Sequence, residues 1–516
     1  MKEYTNFDAV GLTSLVQTGQ VEANELVEAS IARAEEVNPG LNAIVKERYD
    51  RARKEAKERR FQNEAFAGVP LLLKNLSHTI QGEPITAGSA LLSHRIAQRD
   101  SHFVSRLKRA GFMMTGFTNT PEFGLKNITE PKVYGPSRNP WGEAFSPGGS
   151  SGGAAAAVAA RIVPIAAASD GGGSIRIPAS FTNLVGLKPT RGRIPVGPGV
   201  GRQWQGAAID FVLSRSMRDS ARVLDELQVY QKEAAFHTPI YEGSFEKQMA
   251  KTEKRNLRIA WSDRSPVGTP VSEAAKQAVR QVVRWLEAEG HYIEECGPDI
   301  EGTTLMEQYY TMNAGEMAAL LSSIERDLGR SVTREDVEVE TWLLRHLGDR
   351  LSAARYASSL SAWDQAKARM VRFQDTFDLY ITPTTAFSAP RVGELTYTHN
   401  EVERLYESVE KSTEQLFEAV YEMFLPSLTY SPFTQLANMT GLPAISLPVY
   451  KTSEGMPLGV QVMTQTGQEH RLLQLGWQLE QSPLWEGGKT FLKGGKWYEG
   501  SFTKHCSGSN TISCAD

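Results

Sequence analysis

Between Pro147 and Pro178 the chain reads P-G-G-S-S-G-G-A-A-A-A-V-A-A-R-I-V-P-I-A-A-A-S-D-G-G-G-S-I-R-I-P, with seven glycines and four serines in 32 residues. Glycine loses more conformational freedom on folding than any other residue, so a run this dense is kept where the backbone must approach something closely. In Asp170-Gly171-Gly172-Gly173-Ser174 successive N–H groups can turn toward one point and form a nest for an oxyanion, and Ser174 ends that nest where a nucleophile would have to stand. Upstream, Gly148 to Gly153 open into Ala154 to Ala160. That pattern predicts a buried helix whose unpaired N-terminal N–H groups face back toward the glycines. Two small-residue loops around one helix can therefore meet at one site.

The whole chain of 516 residues is long enough for a large core in one domain or two. Its net charge of -4 and pI near 6.2 arise from evenly mixed signs, which argues against nucleic acid or an anionic membrane as partner. Cys296, Cys506 and Cys514 are too few and too scattered for a disulfide framework or a metal site. With no apolar signal core and no uninterrupted apolar run of about 18 residues, a soluble, cytoplasmic protein without metal or cofactor is expected.

Apolar spacing predicts two amphipathic helices over 8–45, broken near Thr18-Gly19, and a charged helical continuation over 46–60. The turn Phe66-Ala67-Gly68 then leads into an apolar strand ending on Lys74. Residues 100–110 read as a helix and 111–116 as a strand, and Val185 begins another strand before a Gly/Pro-rich loop. Ser216 to Gln228 is a capped helix; 257–261, 271–289 and 291–293 form a β-α-β unit. Helical stretches over 303–325, 333–347 and 351–377 could cover a site. Strands near 379–383, 444–448 and 458–463 and a helix over 469–481 complete an α/β pattern. The whole reads as one domain over 1–485 with a mixed, mostly buried sheet, followed by a loosely held Gly/Ser-rich tail over 486–516.

Familiar hydrolase patterns fail in detail. Gly148-x-Ser150-x-Gly152 spells a nucleophile elbow, but that motif needs a strand before it and Ser146-Pro147 stands there. His102, His346 and His470 lie on expected helices, His399 in a polar loop and His505 in the tail, so none is placed as the base. A serine hydrolase with a lysine base remains, because desolvation can hold a buried lysine neutral. Lys74, Ser150 and Ser174 are the available parts.

The blocks Gly68-Val-Pro-Leu-Leu-Leu-Lys-Asn, Gly149-Gly-Ser-Ser-Gly-Gly and Ser169-Asp-Gly-Gly-Gly-Ser-Ile-Arg-Ile-Pro-Ala resemble the amidase signature family, as do Val185-Gly-Leu-Lys-Pro-Thr-Arg-Gly, Leu379-Tyr-Ile-Thr-Pro-Thr and Gly441-Leu-Pro-Ala-Ile-Ser-Leu-Pro downstream. At Arg138-Asn-Pro-Trp and Pro189-Thr-Arg-Gly-Arg-Ile-Pro the chain looks like the bacterial amidases that include 6-aminohexanoate cyclic dimer hydrolase. The resemblance implies a three-layer α/β/α fold around a mixed sheet and a Ser-cisSer-Lys triad. Carried onto this sequence, Ser174 is the nucleophile, Ser150 the bridging serine after a cis peptide, and Lys74 the base. The implied oxyanion hole is the N–H groups of Gly171, Gly172, Gly173 and Ser174.

Ser151 is expected to cap the Ala helix rather than relay a proton, and Asp170 and Arg176 to brace the loop. Many members carry Thr where this chain has Gly171, which removes a hydroxyl beside the hole. The implied activity is hydrolysis of a small carboxamide or a short linear or cyclic amide through an acyl-enzyme. The alternative is the glutaminase A-type subunit of a glutamyl-tRNA amidotransferase complex. Substrate choice is expected from the variable helical region 303–377 and the loop 194–206, with Trp204, Tyr309, Asn313 and Trp342 as candidate pocket residues. Beyond a small-molecule amide no partner is implied, and a homodimer is the one assembly entertained.

Overall fold

The computed structural model describes residues 3–251, 256–492 and 496–499; Cys506, Cys514 and His505 lie outside them. The strands are β1 (Ile44–Glu47), β2 (Pro70–Lys74), β3 (Met113–Thr118), β4 (Ile165–Asp170), β5 (Val185–Lys188), β6 (Ile209–Ser214), β7 (Arg258–Trp261), β8 (Tyr292–Glu295), β9 (Leu379–Pro383), β10 (Ala444–Lys451) and β11 (Pro457–Thr464). They join in one eleven-stranded mixed sheet of order β1-β3-β2-β4-β6-β5-β10-β11-β9-β7-β8. Helices cover it on both sides, giving three α/β/α layers.

Strands β2 to β6 are buried along their whole length. Their sequences are accordingly continuous apolar runs rather than alternating ones. The edge strand β8 is largely exposed and carries Glu294 and Glu295, charges that discourage further pairing. The expected β-α-β unit is present: β7 and β8 run parallel, and the intervening helix Glu273–Ala288 buries Ala278, Val279, Val282 and Leu286.

Two large apolar clusters account for most of the core among the described residues. The larger joins the sheet to its flanking helices, including Gly152–Ala159 with every residue buried. The second joins helices Gly302–Leu328, Val339–Arg350 and Thr413–Tyr430 to Ala87, Leu92 and Phe123. No helix among the described residues is long and apolar enough to cross a membrane.

Several sequence expectations change. Residues 44–47 form an edge strand rather than a helical continuation, because Asn42 adopts φ 48° and ends the helix Ala23–Leu41. Ile165–Asp170, rich in alanine with its weak strand preference, is a central strand: Arg161 at φ 62° and Pro164 stop the helix before it. His399 opens the helix His399–Glu407 instead of lying in a loop. Part of the expected tail is ordered too: Lys489–Leu492 pairs with Lys496–Glu499 in a two-stranded antiparallel ribbon.

Candidate active site

β2 and β4 run parallel, with Leu71 opposite Ile165 and Leu72 opposite Ala166. This register brings their carboxyl ends together, where open α/β sheets hold their ligands. Lys74 Nζ there donates to Ser150 Oγ at 2.7 Å and to Ser169 Oγ at 2.9 Å. Lys74 has no exposed surface. Burial lowers its pKa to about 7, against the opposing charges of Asp210 and Asp170. At neutral pH the neutral amine is therefore well populated.

Ser150 follows a cis peptide from Gly149. Only glycine fits at 149, since a Cβ would stand 2.6 Å from the backbone N and O of Ile128. Ser151 precedes the helix Gly152–Ala159 but makes no capping bond. Instead its Oγ donates to the carbonyl of Ser169 at 3.2 Å and accepts the amide of Ser169 at 3.3 Å. The expectation of a cap is thus replaced by a brace on the end of β4.

β4 delivers Asp170 to the glycine turn. Arg176 clamps both its carboxylate oxygens at 2.9 Å, while Asn438 Nδ2 donates to Oδ1 at 2.8 Å and to the Asp170 carbonyl at 3.0 Å. Burial pushes this carboxyl up, but the Arg176 charge and hydrogen bonds from Arg176 and Asn438 hold it well below the carboxylate range. Arg176 also reaches the carbonyl of Thr434, Gln461 Oε1 and Asn438 Oδ1 at 2.6 to 2.7 Å. Both residues are bonded into the loop in this way.

The nest itself differs in one donor. The amide of Gly173 donates to Asp170 Oδ1 at 2.7 Å, so it is already satisfied inside the protein. This corrects its place in the expected oxyanion hole. Gly173 is needed for shape instead: φ is 129°, and a Cβ would lie 2.3 Å from Thr434 Oγ1. The amides of Gly171, Gly172 and Ser174 carry no hydrogen bond among the described residues. The carbonyls of Gly171 and Gly172 are tied by Tyr309 Oη at 3.1 Å and Thr434 Oγ1 at 2.6 Å. Tyr309 thereby brings a hydroxyl to the turn that lacks a threonine at Gly171.

Gly171, Gly172, Ser174, Ser150 and Ser169 line one cavity of about 690 Å³. Ser174 is partly exposed, in contrast to buried Lys74 and Ser150. Trp204, Tyr309 and Asn313 line the cavity as expected, and so does the loop around 195–204. Trp342 does not: it packs among the helices with its ring edge-on to His346 at 4.4 Å. Of the region 303–377 only the first helix reaches the cavity; Phe424 and Leu428 of Thr413–Tyr430 supply a wall the sequence reading passed over.

The reading also missed His78 and Asp210. His78 Nδ1 accepts the amide of Lys74 at 3.1 Å, which leaves Nε2 to donate to Asp210 Oδ1, also at 3.1 Å. Burial pushes the Asp210 carboxyl up, and His78 with hydrogen bonds from Ser77 and Gln203 brings it below its ordinary value. The available signal was an aspartate within the apolar run Ile209-Asp210-Phe211-Val212-Leu213, a position that acids seldom occupy without a partner.

A family model described as Amidase matches residues 25–473. A lipoamidase of Enterococcus faecalis is 37% identical over 478 residues, 92% of this chain but 63% of its own length. A 6-aminohexanoate-cyclic-dimer hydrolase of Paenarthrobacter ureafaciens is 35% identical over 93% of this chain and 95% of its own. A solved structure of 6-aminohexanoate cyclic dimer hydrolase superposes with a TM-score of 0.84 at 34% identity, covering 92% of this chain and 97% of that one.

Proposed function

The chain belongs to the amidase family, and from that premise we propose that it hydrolyses the C–N bond of a small carboxamide or short linear or cyclic amide through an acyl-enzyme on Ser174. The observation that carries this reading is the buried Lys74 amine hydrogen-bonded to Ser150 beside a glycine nest with unpaired amides. In this mechanism Ser174 Oγ attacks the amide carbonyl, and its proton passes through Ser150 Oγ to neutral Lys74. Negative charge on the carbonyl oxygen is met by the amides of Gly171, Gly172 and Ser174. The proton then returns through Ser150 to the leaving nitrogen, the C–N bond breaks, and water releases the acid by the reverse relay.

Ser169 accepts the second hydrogen bond of the lysine amine, while Ser151, Asp170 and Arg176 act as positioning residues. We take residues 1–485 as the catalytic unit. The three scattered cysteines of the whole chain suit a reducing, cytoplasmic setting.

Purified protein should release ammonia or amine from one or more members of an amide panel and transfer the acyl group to hydroxylamine. Ser174→Ala should lower kcat by about 10⁴ or more while the circular dichroism spectrum is unchanged. Retained activity in that variant would sink the mechanism. Activity of the protein alone on amides other than glutamine would also exclude the amidotransferase-subunit alternative.

A further inference from the structure

The outer end of the cavity is built differently from its floor. Arg95, Arg99 and Arg202 line it and are all exposed. None of the three guanidinium groups forms an ion pair or hydrogen bond among the described residues. Many arginines elsewhere on the molecule do have partners, for instance Arg53 with Glu28 and Arg222 with Glu246.

The loops that carry the three are fixed in place. Pro84 and Ile96 pair as an antiparallel bridge, and the amide of Ile85 donates to the carbonyl of Arg95 at 3.0 Å. The amide of His102 donates to the carbonyl of Gly197 at 2.9 Å, which joins the loop of Arg99 to the loop of Arg202. Arg99 Nη2 itself lies over Gly199, 3.0 Å from where a Cβ would stand.

Two carboxylates line the same cavity, but both are engaged. Asp210 takes His78, Ser77 and Gln203, and Glu316 takes Gln205 and Tyr356 at 2.7 and 2.8 Å. Lys126, also in the wall, is paired with Glu340 at 2.7 Å. Both carboxylates keep their charge, and Lys126 is balanced by Glu340, so three guanidinium groups without a partner stand against two carboxylates and the cavity lining keeps a net positive charge, carried on its exposed arginines. Between mouth and floor the walls are apolar, with Phe103, Phe123, Met306 and Phe424, and the exposed side chains of Ile96 and Val200 stand beside the arginines.

Building on the amidase reading, we propose that this mouth is a subsite for an anionic group, and that the preferred substrates are amides with an apolar arm ending in a carboxylate. The arm lies along the aromatic wall, the carboxylate meets the arginines, and the scissile carbonyl reaches Ser174. Neutral amides of the same shape enter but lack the outer anchor. Amines at the end of the arm are repelled.

The test needs no knowledge of the natural substrate. Ser174 is labelled with three alkyl fluorophosphonates of one chain length, ending in methyl, carboxylate or ammonium, and second-order labelling rates are compared. The carboxylate probe should label about tenfold faster than the methyl probe and the ammonium probe slower than both, from two or three exposed charge contacts. The spread should shrink in 1 M salt, where the screening length falls to about 3 Å. It should also shrink in Arg95→Gln/Arg99→Gln/Arg202→Gln, with the methyl-probe rate retained as the check on folding. Equal rates for the three probes on the wild-type protein would overturn the subsite while leaving the hydrolase reading intact. No labelling of Ser174 by any probe would overturn the hydrolase reading itself and the subsite with it.

Discussion

Lys74 is the base of the proposed mechanism, and its environment makes a signed prediction. Its pKa of about 7 results from burial opposed by the negative charges of Asp210 and Asp170. If, as proposed, the neutral amine is the working form, kcat/KM should rise with pH through an acid limb near pH 7. Asp210 favours the ammonium, so removing its charge lowers the pKa further. Asp210→Asn should therefore move the acid limb to lower pH, measured by steady-state kinetics across pH 5 to 9; a shift to higher pH would contradict the assignment of the base. The glycine nests and a lysine closing an apolar strand marked Lys74, Ser150 and Ser174 as parts of one site, and the structure bonds Lys74 to Ser150 and sets Ser150 and Ser174 in one cavity. That Gly173 is spoken for was not legible in the sequence. Glycine spacing reveals where amides can converge, but whether one of them is already bonded depends on a carboxylate held by Asn438, 268 residues further along.

Among the elements, the helix Gly302–Leu328 links substrate cover to reaction centre. Tyr309 on it donates to the carbonyl of Gly171, and Gln205 and Tyr356 converge on its Glu316. Tyr309→Phe removes one hydrogen bond of about 1 kcal/mol from the turn whose amides face the developing charge. The variant should lose about five- to tenfold in kcat with KM little moved, because the contact orients the nest rather than the ground-state substrate. A change confined to KM would instead make Tyr309 only a wall of the pocket. Helices of this region were readable from their 3.6-residue periodicity, yet periodicity could not tell which of them reaches the cavity. Trp342 shows the limit: an aromatic on an amphipathic helix fits a pocket wall and a helix interface equally well, and the turn of Val339–Arg350 assigns it to the interface. The alanines of β4 hid a central strand for a related reason, since small residues suit close packing in either secondary structure.

Over the whole molecule, the segment after the last long helix belongs to the fold more than its composition suggests. Glu486 pairs with Lys451 at 2.8 Å and its amide donates to the carbonyl of Pro448 at 2.9 Å; Asn183 and Arg161 reach the carbonyls of Glu486 and Gly488. A chain ending after Ser482 loses these and should be less stable by about 2–4 kcal/mol. Thermal unfolding against a chain ending after Glu499, which keeps them, measures the difference; equal midpoints would refute it. The order of the Arg176 contacts has a further consequence. Both serines and the lysine are present once residue 174 has been made, but Arg176 is held by Thr434, Asn438 and Gln461. A growing chain on the ribosome therefore carries every reacting group long before it can fix the turn that orients them. The turn can be fixed only after Gln461 has emerged, and an amino-terminal fragment released before that point would be a complete set of reactive side chains without an enzyme.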